Sequence, residues 1–273
     1  MRKDIRRDEF DMDKLTVTLS FDDGRRDTYT KAYAIMQKYN LLGTVHVITG
    51  YVDGTFTRKL SGSTGAMTIE DLTEMKRAGW EISSHGDQHI TEKKDFLKSV
   101  KKLEEWGMIE GKVGFSIPGS KIVYENEDDF VRFLQNNEIA YMRGGRDKRC
   151  YKILSKIRYV LYHVFHSKLC YRAFHRYCFM NPENVDKYNL VSAVIRCEDK
   201  VELVTDLLQH HIGKKEWIIF MLHGIADGES EVDNSPWCWD KQQFTVFCEC
   251  LKRLVDEGSI EVRTIMNVIS EIE

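Results

Sequence analysis

The sequence predicts an α/β protein whose parallel sheet closes, or nearly closes, into a barrel. Short apolar or alternating runs recur with helical-period segments between them, which is the pattern of βα units. Six to eight such units fit within 273 residues, a number that favours a barrel over an open sheet. No internal repeat or low-complexity tract breaks the series.

Each element has a local reason. Leu15, Val17 and Leu19 alternate with Thr16, Thr18 and Ser20 before Phe21, so residues 15–21 read as the first strand. Residues 26–40 read as a helix and 43–50 as a strand. Residues 51–67, rich in Gly, Ser and Thr, read as a loop. A Thr68…Asp71 capping pattern opens a helix over 68–79, and Gly79 closes it. A short strand over 80–84 and a helix over 91–106 follow. A strand over 112–119 runs into a turn at Pro118-Gly119. A helix over 125–137 and a strand over 139–142 come next. After a basic stretch, 188–197 reads as a strand and 199–212 as a helix. Residues 216–224 form the most apolar strand, 240–257 a helix and 259–264 a last strand.

The bulk numbers narrow the class. A hydrophobic fraction of 42% and a charged fraction of 30% describe a soluble globular protein. No apolar run is long enough to span a bilayer. The N-terminal "MRKDIRRDEFDMDK" has no apolar h-region, so the expected location is cytoplasmic. Seven cysteines without a C-x-x-C pair read as reduced thiols, not a zinc ribbon. Charge is uneven: residues 143–180 hold ten basic side chains and a single acid, Asp147, on an otherwise acidic chain.

Polar residues gather where strands end. Asp22 and Asp23 end the first strand, His85 and His89 follow the third, Pro118 and Gly119 end the fourth, and His223 ends "WIIFMLH". In parallel α/β folds these ends form one mouth, where ligands bind. Asp22 and Asp23 read either as a helix cap or as a site, since a cap needs one Asp and two suggest a cation or a proton in motion. "HGDQH" spaces two histidines at i and i+4, which on a helical turn would share a face and suit one metal. Together with one aspartate they make three ligands and an open position, the pattern of a catalytic zinc-type site. The second aspartate could take a proton from water, and His223 could give one to a leaving group. The remaining histidines, His46, His163, His166, His175, His210 and His211, read as structural or surface residues.

These residues resemble the motifs of the NodB-type polysaccharide deacetylases, carbohydrate esterase family 4. "SFDDG" resembles the first motif, "HGDQH" the second, "FSIPGS" the third and "IIFMLH" the last. The resemblance covers roughly residues 15–142 and 188–268. It implies a distorted (β/α)7 barrel that removes acetyl groups from N-acetyl sugars with a divalent metal. Zinc is the expected ion, with cobalt, manganese or nickel as alternatives. By motif, Asp23, His85 and His89 would hold the metal, Asp22 would be the general base and His223 the general acid. The backbone N–H of Gly119, after Pro118, would face the oxyanion. Several positions depart from the pattern. Ser116 stands where an Arg usually holds the base, which leaves that task to another cation such as Arg25, or leaves the base less oriented. Gly86 replaces a Ser or Thr. Gly119 replaces an aromatic and opens the pocket. A Trp-bearing fourth motif is not evident, which leaves Trp239 as the candidate aromatic wall.

The expected organisation is one deacetylase barrel over 1–273 with a basic, aromatic-rich helical insert at 143–187. That insert reads either as a solvated helical face or as a dock for an anionic surface or substrate: a phospholipid headgroup at the inner membrane face, or a lipid-linked or nucleotide-linked sugar. No nucleic-acid motif appears, so no nucleic-acid partner is expected. The function expected first is N-deacetylation of an amino sugar in a polysaccharide or glycan-assembly intermediate. The alternatives are hydrolysis of a formyl or non-sugar amide, and a non-catalytic glycan- or lipid-binding barrel.

Overall fold

The computed structural model describes residues 14–63, 65–120, 127–144, 157, 161, 167–228 and 235–273. The order is β1 (Leu15–Phe21), α1 (Ala34–Lys38), β2 (Thr44–Val47), α2 (Thr49–Val52), α3 (Ile69–Arg77), β3 (Glu81–Ser84), α4 (Lys93–Glu105), β4 (Val113–Ser116), α5 (Glu127–Asn136) and β5 (Ile139–Arg143). It continues with α6 (Lys168–His175), β6 (Phe179–Met180), β7 (Ala193–Val194), α7 (Val201–Gln209), β8 (Trp217–Leu222), β9 (Gly224–Ala226), β10 (Cys238–Asp240), α8 (Lys241–Asp256), β11 (Ile260–Val262) and α9 (Ile265–Ile272).

The sheet curls into a distorted barrel. β5, β4, β3, β2, β1 and β8 lie side by side in parallel, and β7 continues from β8. The ring closes through a bridge between Arg143 and Leu190, just before β7. β1 is the hub. Its first residues also pair with β11, its last two pair with β2, and its other edge pairs with β8 along six residues. β6 adds an antiparallel edge, and β9 and β10 form a separate small sheet.

Strand alternation sorts the side chains. Leu15, Val17, Leu19 and Phe21 pack outward against the helices, with Ile218, Phe220 and Leu222 of β8. The opposite face lines the barrel and is largely polar. Trp217 Nε1 donates to Thr18 Oγ1, and Ser20 Oγ meets His46 Nδ1 at 3.2 Å. His46 Nε2 lies 3.0 Å from the Tyr141 hydroxyl, which donates to Glu81. Gly114 exists for this packing, because a Cβ there would lie 2.1 Å from the Tyr141 ring. An apolar group of Trp217, Ile219, Ile265, Val268 and Ile269 closes the lower end, with α9 as its plug.

Several boundaries differ from the sequence reading. The helix after β1 opens as a wide π-type turn, Thr28–Tyr33. The strand expected over 188–197 is only Ala193–Val194. The C-terminal α9 and the short β6, β9 and β10 carried too few residues to register as periodic. The α3 capping box forms as read: Thr68 accepts from the Asp71 N–H while the Asp71 carboxylate accepts from the Thr68 N–H. Of the expected insert at 143–187, residues 145–156, 158–160 and 162–166 lie outside the described residues. Its later part, α6, packs on α7, with Lys168 and Arg172 paired to Asp206 at 3.3 and 3.4 Å. Among the described residues no helix is long and apolar enough to cross a membrane.

Candidate active site

The inward-facing register carries the functional side chains to one mouth. Thr16, Thr18 and Ser20 face the barrel axis, so the next residue of that parity, Asp22, does too. Ser83 leads to His85, Gly114 to Ser116, Tyr141 to Arg143, and Trp217 and Ile219 to His223 by the same rule. Asp22, Asp23, His85, His89, Gly119 and His223 line one pocket of about 350 Å³. Pro118 begins the short turn that presents Gly119, whose φ is 67°.

Asp23, His85 and His89 each offer a ligand atom, and the three atoms lie within 4.8 Å of one another. One carboxylate oxygen with two imidazoles is a donor set that suits zinc and related divalent ions. His85 is oriented for that task. Its Nδ1 donates to the Ser116 carbonyl at 2.7 Å, which leaves Nε2 facing Asp23 Oδ1 at 3.8 Å. The "HGDQH" segment is a loop and not the helical turn the spacing suggested. His89 reaches His85 because its own φ is 54°, and the two rings lie 4.7 Å apart. Asp95 holds this loop by accepting from the N–H groups of Asp87, Gln88 and Ile90. Gly86 is required there: its φ is 82°, and a Cβ would lie 2.5 Å from Asp95 Oδ2.

Asp22 is buried and bound differently. Arg143 Nη2 donates to Asp22 Oδ1 and, at 2.6 Å, to Ser116 Oγ, while Nη1 donates to Ser192 Oγ at 3.2 Å. Arg143 therefore sits where the missing third-motif arginine would act, delivered from β5 instead of β4. It does not belong to the solvent-facing basic insert, since it is fully buried. Arg25, the cation expected to hold the base, is engaged elsewhere. It pairs with Asp27 at 3.4 Å and Asp23 at 3.8 Å, and donates to Cys238 Sγ. Neither Asp22 nor Asp23 caps the following helix; Asp27 precedes it without a side-chain capping bond. Asp27 instead accepts from the Ile225 N–H at 2.7 Å, tying the strand just after His223 to the first motif.

Trp239, expected as the aromatic wall, is a core residue. It is buried against Phe244 and Phe247, with its indole N–H on the Asp199 carbonyl. Trp237 takes the pocket position, its ring 4.8 Å from that of His223. The two residues are two positions apart, and the sequence carries no signal for which one faces the pocket.

The charges are unequal. Burial raises the Asp22 pKa, but Arg143, then His85 and His46, more than reverse it, and the group titrates well below an ordinary carboxyl. Asp23 is pushed up to about 7 by burial and then by the Asp22 charge. Burial lowers His85 to about 4, His89 to about 3 and His223 to about 4, so all three imidazoles are neutral at pH 7. His223 Nδ1 is buried with no hydrogen-bond partner among the described residues.

The polysaccharide deacetylase family model matches residues 10–124, the segment with both aspartates, both loop histidines and the Pro118-Gly119 turn. In this segment the chain is similar to the polysaccharide deacetylases. No curated protein matches the sequence. Among solved structures, the chain is similar to the family 4 esterase domain of a multidomain xylanase from the hindgut metagenome of Trinervitermes trinervoides. Identity is 13%, with 95% of this chain and 91% of that one covered and a TM-score of 0.50. It is also similar to a mutant of a family 4 pseudoenzyme with restored enzymatic activity, at 10% identity, 94% and 68% coverage and a TM-score of 0.50. At these identities the likeness is one of fold. A deacetylase fold that also serves a pseudoenzyme leaves activity to be argued from the site.

Two outcomes follow. Asp23 binds a proton more tightly folded than unfolded, so the metal-free protein loses stability as pH rises from about 4 to about 7. A divalent ion requires Asp23 ionised while the imidazoles are already neutral. Zinc binding at pH 6 should therefore release about one proton from Asp23, as read by titration calorimetry in buffers of different ionisation enthalpy. The Asp23→Asn protein should show no release. Separately, Arg143→Met should destabilise by about 3–5 kcal/mol in urea unfolding, because it leaves Asp22 buried and unpaired. In an Asp22→Asn background the same change should cost about 1–3 kcal/mol less; costs that simply add would mean the pair does not interact.

Proposed function

We propose that this protein is a divalent-metal-dependent hydrolase that removes an N-acetyl group from an amino sugar of a polysaccharide or glycan-assembly intermediate. The observation that carries the reading is the convergence of Asp22, Asp23, His85, His89 and His223 on one pocket. Asp23, His85 and His89 would hold the metal. When bound, it supplies a Lewis acid and lowers the pKa of water. Asp22, fixed by Arg143, takes a proton from the water that attacks the amide carbonyl. His223 takes up a proton from solvent as the charge builds and passes it to the departing nitrogen as the C–N bond breaks. The neutral resting state of His223 couples its protonation to the negative charge that builds on the substrate during attack. Gly119, in the turn that Pro118 begins, borders the pocket on the third-motif side, where its N–H would face the oxyanion.

A second reading keeps this chemistry and changes the acyl group. A Cβ at Gly119 would meet nothing within 4 Å, so that wall is open and supports formyl or non-sugar amides equally well.

Within the basic segment, Ile157, Leu169 and Tyr177 are exposed by 45, 71 and 53%. These apolar side chains, on a segment rich in basic residues, support docking of the 143–187 segment on an anionic membrane face, where lipid-linked substrates would lie.

Acetate release should be measured with zinc or cobalt present, from free, oligomeric, nucleotide-linked and lipid-linked N-acetylhexosamines. Asp22→Asn and His223→Ala should each lower the rate about 10²–10⁴-fold with the bound metal unchanged, whereas His85→Ala should lose the metal. Metal binding without acetate release from any substrate would move the assignment to another amide. Sedimentation with liposomes should show binding that needs anionic lipid and weakens with salt; equal binding to neutral vesicles would remove the membrane role.

A further inference from the structure

We propose that the substrate of this pocket carries an oxyanion, a carboxylate or a phosphate, close to its acyl-amide, and that Arg196 receives it. This rests on the deacylase reading and adds a charge requirement to it. Arg196 follows β7 and lines the pocket with Asp22, His89, His223 and Trp237. The other arginines near the mouth are committed. Arg143 is bound to Asp22, Ser116 and Ser192. Arg25 is bound to Asp27, Asp23, Cys238 and the Ser61 carbonyl. Arg58 donates to the carbonyls of Gln88 and His89. Arg196 alone has neither a carboxylate nor a carbonyl on its guanidinium among the described residues, and its Nε is buried without an acceptor.

The side chain is nonetheless held in place. Its backbone N–H donates to Asp199 Oδ2 at 2.8 Å, and the guanidinium lies over the Trp237 ring, 4.7 Å from the centroid. Stacking fixes the plane of the fork and leaves its edge for a ligand. A planar fork with open donors matches carboxylate or phosphate oxygens two at a time. A buried donor without an acceptor is costly, and a ligand oxyanion removes that cost on binding. The position also fits the chemistry. Trp237 stacks near both Arg196 and His223, so an oxyanion on Arg196 lies beside the reacting centre, in a pocket whose two aspartates would otherwise repel it. No other described cation in the pocket is free to offset that repulsion.

The test uses full-length, metal-loaded protein and three probes that share the N-acetyl group: N-acetylglucosamine, N-acetylglucosamine 1-phosphate and N-acetylmuramic acid. Acetate release should show a KM at least about tenfold lower for one of the anionic probes than for the neutral sugar. A preference for the 1-phosphate identifies a phosphate ligand; a preference for N-acetylmuramic acid identifies a carboxylate. Arg196→Gln should erase most of the preference, mainly in KM, and Arg196→Lys should restore part of it. Equal KM values for charged and neutral probes, or a preference that survives Arg196→Gln, would overturn the proposal. Binding without turnover is read by Trp fluorescence in the Asp22→Asn protein. If the anionic sugars bind and Arg196→Gln abolishes it, the oxyanion site stands even when no acetate is released, and only the deacylase reading fails. Acetate release without charge preference gives the reverse.

Discussion

The buried pair between Arg143 and Asp22 is the constraint on which the rest of the site depends. Two aspartates in succession at the end of a central strand repel each other, and burial makes the repulsion stronger. The arginine resolves this by fixing the charge on Asp22, while burial and that charge push Asp23 up to about 7. One carboxylate is thereby an acceptor with a fixed orientation, and its neighbour is a candidate metal ligand. The division of labour within "FDDG" follows from where one guanidinium sits. Ser116, which has lost the longer side chain expected at its position, remains useful as a small acceptor that lets Arg143 cross from β5.

Around that pair the chain accepts strained backbone at the atoms that matter. Among the described residues, four non-glycines adopt a left-handed φ, and two of them are the candidate ligands Asp23 and His89. Such positions cost of order 1–3 kcal/mol and persist only where their surroundings over-determine them. Asp95 supplies this for the His89 loop through three backbone N–H groups. Thr49 and Gly50 of α2 donate to the carbonyls of Gly86 and Asp87 from the other side. Arg25 and Asp27 do the same for the His223 side, bracing Gly224 so closely that a Cβ there would lie 2.5 Å from Asp27 Oδ2.

Below the mouth the barrel is unusually polar. Ser20, His46, Ser83, Tyr141 and Glu81 form one connected set, and Glu81 also accepts from the Met266 N–H at the start of α9. His46 Nδ1 lies 3.6 Å from Asp22, so the set runs from the base to the helix that plugs the far end. Fully bonded polar interiors specify one arrangement more sharply than apolar ones, since any shift leaves a buried group unpaired. His46, which reads as an ordinary structural histidine in the sequence, is a structural residue in that sense: it is neutral and held by hydrogen bonds on both ring nitrogens.

The sequence by itself determined the βα order, the α3 cap and which residues are candidate ligands. Those signals are local: a period, a capping pair, a spacing between two histidines, a cluster of carboxylates at a strand end. Inward register was legible too, since Asp22 extends the parity of Thr16, Thr18 and Ser20. What only the tertiary structure decided are pairings between distant segments. Arg143 sits in a run of basic residues, and its burial against Asp22 depends on how β5 lies across the barrel. The choice between Trp237 and Trp239 turns on side-chain direction at a short irregular strand, where two nearby residues of the same type present the same local pattern. The loop form of "HGDQH" was hidden for the same reason: an i, i+4 spacing fits a helix, but a left-handed residue and a carboxylate from α4 bring the two rings together without one.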